Sequence, residues 1–132
     1  MPKSSSVIKS PCIIFVEHDF EIRELYKEIL TEAGYRIFVC AALTPAIKAV
    51  IRHKPILVFV DVDLPGGGAL KLLRHIDKSS SKAGIVLLSN YEEKMAVRRH
   101  LGREMSNIIE TFKANPDEII TLVHRLLSKV KA

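Results

Sequence analysis

With 132 residues, 48% of them hydrophobic and 27% charged, the chain has the size and balance of one soluble domain with a sizeable core. A net charge of +5 permits a basic surface, but 6% aromatic content and the lack of a nucleic-acid motif argue against base recognition. No apolar run approaches the ~20 residues that cross a bilayer, and the polar start "MPKSSSVIKSP" lacks the apolar stretch of a secretory signal. Residues 1–10 therefore read as a flexible leader, residues 11–131 as the domain, and the cytoplasm as the default compartment.

Apolar runs then alternate with helical patterns five times. Cys12–Val16 reads as a strand. From Phe20 to Ala33 the apolar positions Ile22, Leu25, Tyr26, Ile29, Leu30 and Ala33 recur with helical spacing, and Gly34 terminates the helix. "RIFVC" is the second strand. "TPAIKAVIRH" reads as a helix with Thr44 as its N-cap and Pro45 in its first turn. Ile56–Val60 is a third apolar run, ending at Asp61. "LPGGG" is a loop and "ALKLLRHID" a short helix. "GIVLLS" is the fourth strand, and "YEEKMAVRRHL" the fourth helix, a basic one. "NIIETF" is the fifth and least apolar strand, as suits a sheet edge. The last helix, "NPDEIITLVHRLLSKV", is capped by Asn115, with Pro116 in the first turn and Glu118 as the capping-box acid.

Alternating βαβα with continuously apolar strands predicts an α/β three-layer sandwich, (βα)5, whose parallel sheet is covered on both faces. Cys12 would open one strand and Cys40 close its neighbour, too far apart to bridge, so both thiols are expected free and buried. The five histidines show no metal-motif spacing.

In such a sheet the carboxyl ends of the strands share one edge, where ligands bind. Strand one ends in Glu17, His18 and Asp19. Strand three ends in Asp61, with Asp63 two residues later. Strand four ends in Ser89 and Asn90, and Lys113 follows strand five. Clustered acids can hold Mg²⁺; a hydroxyl and an ammonium can bind phosphoryl oxygens; one carboxylate can act as a nucleophile and form an acyl phosphate.

The segments "IIFVEHDFEIRELYKEILTEAGY", "PILVFVDVDLPGGG", "IVLLSN" and "NPDEIITLVHRLL" resemble a two-component response-regulator receiver domain of the CheY-like superfamily, over nearly the whole chain. The resemblance implies a flavodoxin-like five-stranded parallel sheet of order 2-1-3-4-5. It implies Asp61 as phosphoacceptor, Ser89 as the switch hydroxyl and Lys113 as the phosphate-contacting lysine. Glu17, Asp61 and the main-chain carbonyl of Asp63 would hold Mg²⁺ or Mn²⁺.

Three positions depart from the family pattern. His18 stands at the second acid after strand one, where a metal ligand is expected. It either lowers Mg²⁺ affinity as a lost corner, or favours a softer ion such as Mn²⁺ or Zn²⁺, or touches phosphate directly. Ala114 replaces a proline that is typically cis, so a trans bond is expected after Lys113. Glu110 occupies the aromatic switch position. Asp63 and the run Gly66–Gly68 invite functional readings as extra metal charge and a phosphate cradle, against the plainer ones of a solvated side chain and a turn.

Two functions follow. One is a receiver in a phosphorelay, taking a phosphoryl group on Asp61 from a histidine kinase or phosphotransfer protein and signalling through an effector bound at the basic fourth helix. It would be a signalling phosphoacceptor, not an enzyme. The other is a phosphorylation-independent pseudo-receiver that binds protein partners in one state. An unrelated flavodoxin-like enzyme has no Walker lysine, dinucleotide glycine motif or second nucleophile in its favour. No membrane or nucleic-acid partner is expected.

Overall fold

The computed structural model describes residues 12–78, 83–89, 108–112 and 116–131, with the backbone alone for Asp77, Ser89, residues 108–112, Pro116 and residues 129–131. Five parallel strands form one sheet: β1 (Cys12–Val16), β2 (Arg36–Cys40), β3 (Leu57–Asp61), β4 (Gly84–Ser89) and β5 (Ile108–Phe112). Their spatial order is β2-β1-β3-β4-β5, the expected 2-1-3-4-5. The helices are α1 (Phe20–Glu32), α2 (Leu43–His53), α3 (Gly68–Lys78) and a C-terminal helix, Pro116–Lys131. The basic segment "YEEKMAVRRHL" lies outside the described residues, as do Asn115, Lys113 and the Lys113–Ala114 bond.

The strands are apolar throughout because side chains alternate between two covered faces. Ile14, Val16, Val58, Val60, Ile85 and Leu87 pack with Ala46 and Val50 of α2 and Leu72, Leu73 and Ile76 of α3. Ile13, Phe15, Leu57, Phe59, Val86 and Leu88 pack with Tyr26 and Leu30 of α1 and with Ile119, Val123 and Leu127 of the C-terminal helix. On that second face Phe15 stacks on Tyr26 at 4.9 Å and on Phe59 at 5.3 Å between ring centres. Burying side chains of this size contributes ~1.5–3 kcal/mol each relative to exposure.

The helix ends are set by local chemistry. The carboxylate of Asp19 caps α1 by accepting from the Ile22 N–H at 3.1 Å. At the other end Ala33 is the C-cap, one residue inside the expected span. Gly34 takes φ +99°, and the N–H groups of Gly34 and Tyr35 reach the carbonyls of Thr31 and Leu30, the paired bonds of a Schellman motif. The start of α2 corrects the sequence reading: its N-cap is Ala42, which makes no side-chain cap bond, and Thr44 is already helical. Pro45 is tolerated there because the first intrahelical bond runs from the Ala46 N–H to the Ala42 carbonyl, so a proline just before it removes no donor from the ladder. The third strand is also shifted by one residue, and Asp61 belongs to it. Within "LPGGG", Pro65–Gly67 forms a single 3₁₀ turn, with Gly66 and Gly67 both at φ +69°. That backbone conformation alone accounts for two of the three glycines.

Cys12 and Cys40 are both buried and free. They stand at opposite ends of the β1–β2 register, Cys12 opposite Arg36 and Cys40 opposite Val16. Burial pushes both thiols above the usual 9.0, against a smaller lowering by Arg36 at Cys12 and Arg23 at Cys40. Among the described residues no helix is long and apolar enough to cross a membrane.

Candidate functional site

The β1–β3 register pairs Phe15 with Phe59 and Val16 with Val60. One step further along the same parallel register, Glu17 and Asp61 stand side by side on one face. Two acids 44 positions apart in the chain are thus neighbours for a simple reason: both strands run out of hydrocarbon at the same level. Both side chains are 0% exposed. Two carboxylates close together and shielded from water repel each other and favour any donor or cation placed between them.

His18 supplies such a donor. Its Nδ1 lies 2.7 Å from Asp61 Oδ2 and 3.3 Å from Glu17 Oε2, so one ring N–H faces both acids. The imidazole remains 41% exposed and covers the buried pair with a polar ring instead of hydrocarbon. Each acid is also held by main chain. The Asp63 N–H donates to Asp61 Oδ1 at 3.0 Å, and the Asp19 N–H to Glu17 Oε2 at 3.2 Å. A turn closed by the Leu64 N–H on the Asp61 carbonyl, at 3.2 Å, sets the first of these.

The sequence reading did not foresee Arg23. From the first turns of α1 its guanidinium donates to the Glu17 carbonyl at 3.0 Å and to the His18 carbonyl at 3.4 Å, bracing the turn that presents His18. A basic residue there looks like any solvated helix position, so only the tertiary fold reveals the contact. Asp19, considered as a neighbour of the metal corner, holds the helix start, a role its place before the first apolar position could have shown. The field of Glu17 also reaches the core. Tyr26 is pushed above its usual 10.0, first by burial, then by the charges of Glu17 and Glu118.

Glu17, His18 and Asp61 offer ligand atoms that all lie within 4.8 Å of one another, a spacing that fits one metal ion. The donor set is two oxygens and one nitrogen, so an ion that accepts imidazole fits better than one that prefers oxygen alone. The side chain of Asp63 is exposed. Ser89 ends β4 one position beyond Leu88, the register partner of Asp61, so its backbone reaches the same edge. Phe112 pairs with Ser89, and Lys113 would follow it but lies outside the described residues.

The chain is 26% identical over 81 residues to sporulation initiation phosphotransferase F of Bacillus subtilis, covering 61% of this chain and 65% of that protein. It is 29% identical over 128 residues to the transcriptional regulatory protein AruR of Pseudomonas aeruginosa, covering 92% of this chain and 51% of that one. It thus spans about half to two thirds of the length of these curated relatives. Among solved structures, the response regulator TrrA of Thermotoga maritima, crystallised with Mg²⁺ and BeF, superposes with a TM-score of 0.72 at 30% identity, over 88% of this chain and 98% of that one. A family model described as the response regulator receiver domain matches residues 13–124. Its span takes in β1 to most of the C-terminal helix, with Glu17, His18 and Asp61 among the matched positions. The chain therefore belongs to the response regulator receiver domain family.

Proposed function

We propose that this receiver domain, residues 11–131, accepts a phosphoryl group on Asp61 from a phosphohistidine of a histidine kinase or phosphotransfer protein in the cytoplasm. It passes the signal to an effector protein through the basic fourth-helix region. The carrying observation is the position of Asp61 at the tip of β3, beside Glu17, with the Asp63 N–H fixed on Oδ1. In the transfer an oxygen of the Asp61 carboxylate forms a P–O bond while the donor's P–N bond breaks. The electron pair stays on the donor imidazole, which takes up a proton. A divalent cation, Mg²⁺ or Mn²⁺, held by Glu17, Asp61 and the Asp63 carbonyl would neutralise phosphoryl charge when bound. Ser89 and Lys113 would contact the remaining phosphoryl oxygens.

His18 enters this reading directly. Its ring lies against Asp61 Oδ2, so it must turn away, or share the oxygen, before phosphorus can approach. That contact also favours a second reading, a pseudo-receiver whose acceptor stays covered and which binds partners in one state.

Incubation with a small phosphoryl donor and Mg²⁺ or Mn²⁺, followed by intact-mass measurement, separates the two. A phosphoryl gain that disappears in Asp61→Asn is the expected result. No gain with either metal or with a phosphohistidine donor overturns the phosphoacceptor reading in favour of the second.

A further inference from the structure

The Nδ1 of His18 faces Glu17 Oε2 and Asp61 Oδ2, at 3.3 and 2.7 Å from them, and closes off the space where a cation would relieve the two carboxylates. Mg²⁺ enters this space poorly. It is a hard ion that binds oxygen and sheds water reluctantly, so the ring would have to leave, and its hydrogen bond to Asp61 and its close approach to Glu17 would be lost. An ion of the later first transition series has another course. It replaces the Nδ1 proton, which passes to solvent, and uses the same nitrogen as a ligand without moving the ring far. Ligands about 2.0–2.2 Å from such an ion stand roughly 3–3.5 Å apart, close to the spacing already present. We infer that Glu17 Oε2, His18 Nδ1 and Asp61 Oδ2 form a site selective for a nitrogen-accepting divalent ion of the zinc type over Mg²⁺. This rests on the phosphoacceptor reading for placing a cation between the two acids, but not on phosphoryl transfer itself.

Two further features support the assignment. The carboxylates are buried and fixed by the N–H groups of Asp19 and Asp63, and ligands held by outer hydrogen bonds need less reordering on binding. Arg23 ties down the Glu17 and His18 carbonyls, so the segment carrying the nitrogen is braced as well.

The test is metal binding by the metal-free full chain, with no phosphoryl donor present. Zn²⁺ is titrated in calorimetry with and without millimolar Mg²⁺, and Co²⁺ is followed by its visible absorption. The expected result is one tight Zn²⁺ per chain that Mg²⁺ does not displace, a Co²⁺ band indicating nitrogen ligation, and a shift of the His18 ring nitrogen resonances. In His18→Asn the tight event should vanish while any weak binding to the other histidines remains. In His18→Asp the ratio of the Mg²⁺ to the Zn²⁺ Kd should fall at least tenfold. Equal Zn²⁺ affinity in wild type and His18→Asn, or Mg²⁺ bound as tightly by wild type as by His18→Asp, overturns the inference. The phosphoacceptor reading stands or falls separately: phosphoryl uptake on Asp61 by wild type, read by intact mass, upholds it whatever the zinc titration gives, and no uptake overturns it without touching the zinc result.

Discussion

Two histidines in this chain make nearly the same hydrogen bond in opposite surroundings. At the carboxyl edge, His18 Nδ1 lies 2.7 Å from a carboxylate oxygen that is fully buried. On the C-terminal helix, His124 Nδ1 lies 2.6 Å from the hydroxyl of Tyr35, in an exposed pair. Bond length alone would rank them together. What separates them is what remains if the imidazole is removed. Water replaces the lost partner of Tyr35 at once, whereas at the carboxyl edge two like charges in a low-dielectric site lose a shared donor.

The sharpest way to break this comparison is to delete both rings. His18→Ala should lower stability by about 1–3 kcal/mol, the range for depriving a buried polar group of a partner. His124→Ala should cost at most about 1 kcal/mol, the net value of an ordinary hydrogen bond. Urea denaturation measures both. The two variants should also respond differently to cations. Millimolar Mg²⁺ should recover much of the loss in His18→Ala, because an ion can then enter between Glu17 and Asp61, and should do nothing for His124→Ala. Equal losses, or a loss in His18→Ala that Mg²⁺ leaves untouched, would mean that burial does not distinguish the two bonds.

A smaller effect sharpens the comparison from the main-chain side. Arg23 donates to the carbonyls of Glu17 and His18 and ties a loop to a helix, whereas the main-chain bond at His124 stays within one helix, from the Ser128 hydroxyl to the His124 carbonyl at 2.9 Å. Arg23→Ala should cost about 1 kcal/mol and speed hydrogen exchange at the Asp19 amide, which donates to Glu17. Amides near Tyr35 should exchange as before. Unchanged exchange at Asp19 would show that the turn holds its shape without the guanidinium.

Much of the carboxyl edge could be read from the sequence, because it follows from where hydrocarbon stops. "CIIFV" gives way to Glu17, and "LVFV" to Asp61, and the parallel register makes those two ends level. The same argument placed the strands to within a residue and the sheet order by resemblance. The cap of α2 was misread because Thr44 is a better capping side chain than Ala42, yet tertiary packing draws Leu43 into the helix and the backbone starts there. The His18 contact was not legible at all. It depends on which way one ring turns at a strand tip, and on a neighbour 43 positions away that only the folded sheet supplies. Arg23 escaped notice for the same reason, since its partners are carbonyls with no sequence signature.

The smallest expected effect concerns Tyr35, the exposed counterpart of Asp61 in the comparison. Burial pushes its phenol above the usual 10.0, so the folded chain holds the proton more tightly than the unfolded one. The linkage then has a definite sign. Below pH 10 both states are protonated and the preference of the fold for the neutral phenol is fully present. As pH rises past 10 the unfolded chain ionises first, and that stability is lost progressively until the folded phenol ionises too. Tyr26 is raised as well, so the contribution of Tyr35 has to be read as a difference. The fall in Tm above pH 10 should be slightly shallower in Tyr35→Phe than in wild type, and the two profiles should be parallel below it. The difference in Tm is expected to be small because the hydroxyl lies in an exposed hydrogen bond, where water screens the charge on the ionised oxygen. Coincident alkaline profiles would place the hydroxyl wholly in solvent and leave His124 bound to a group with no preference for the fold. A marked difference would instead mean that the pair is drier than its exposure suggests, bringing its energetics closer to those of His18 and Asp61.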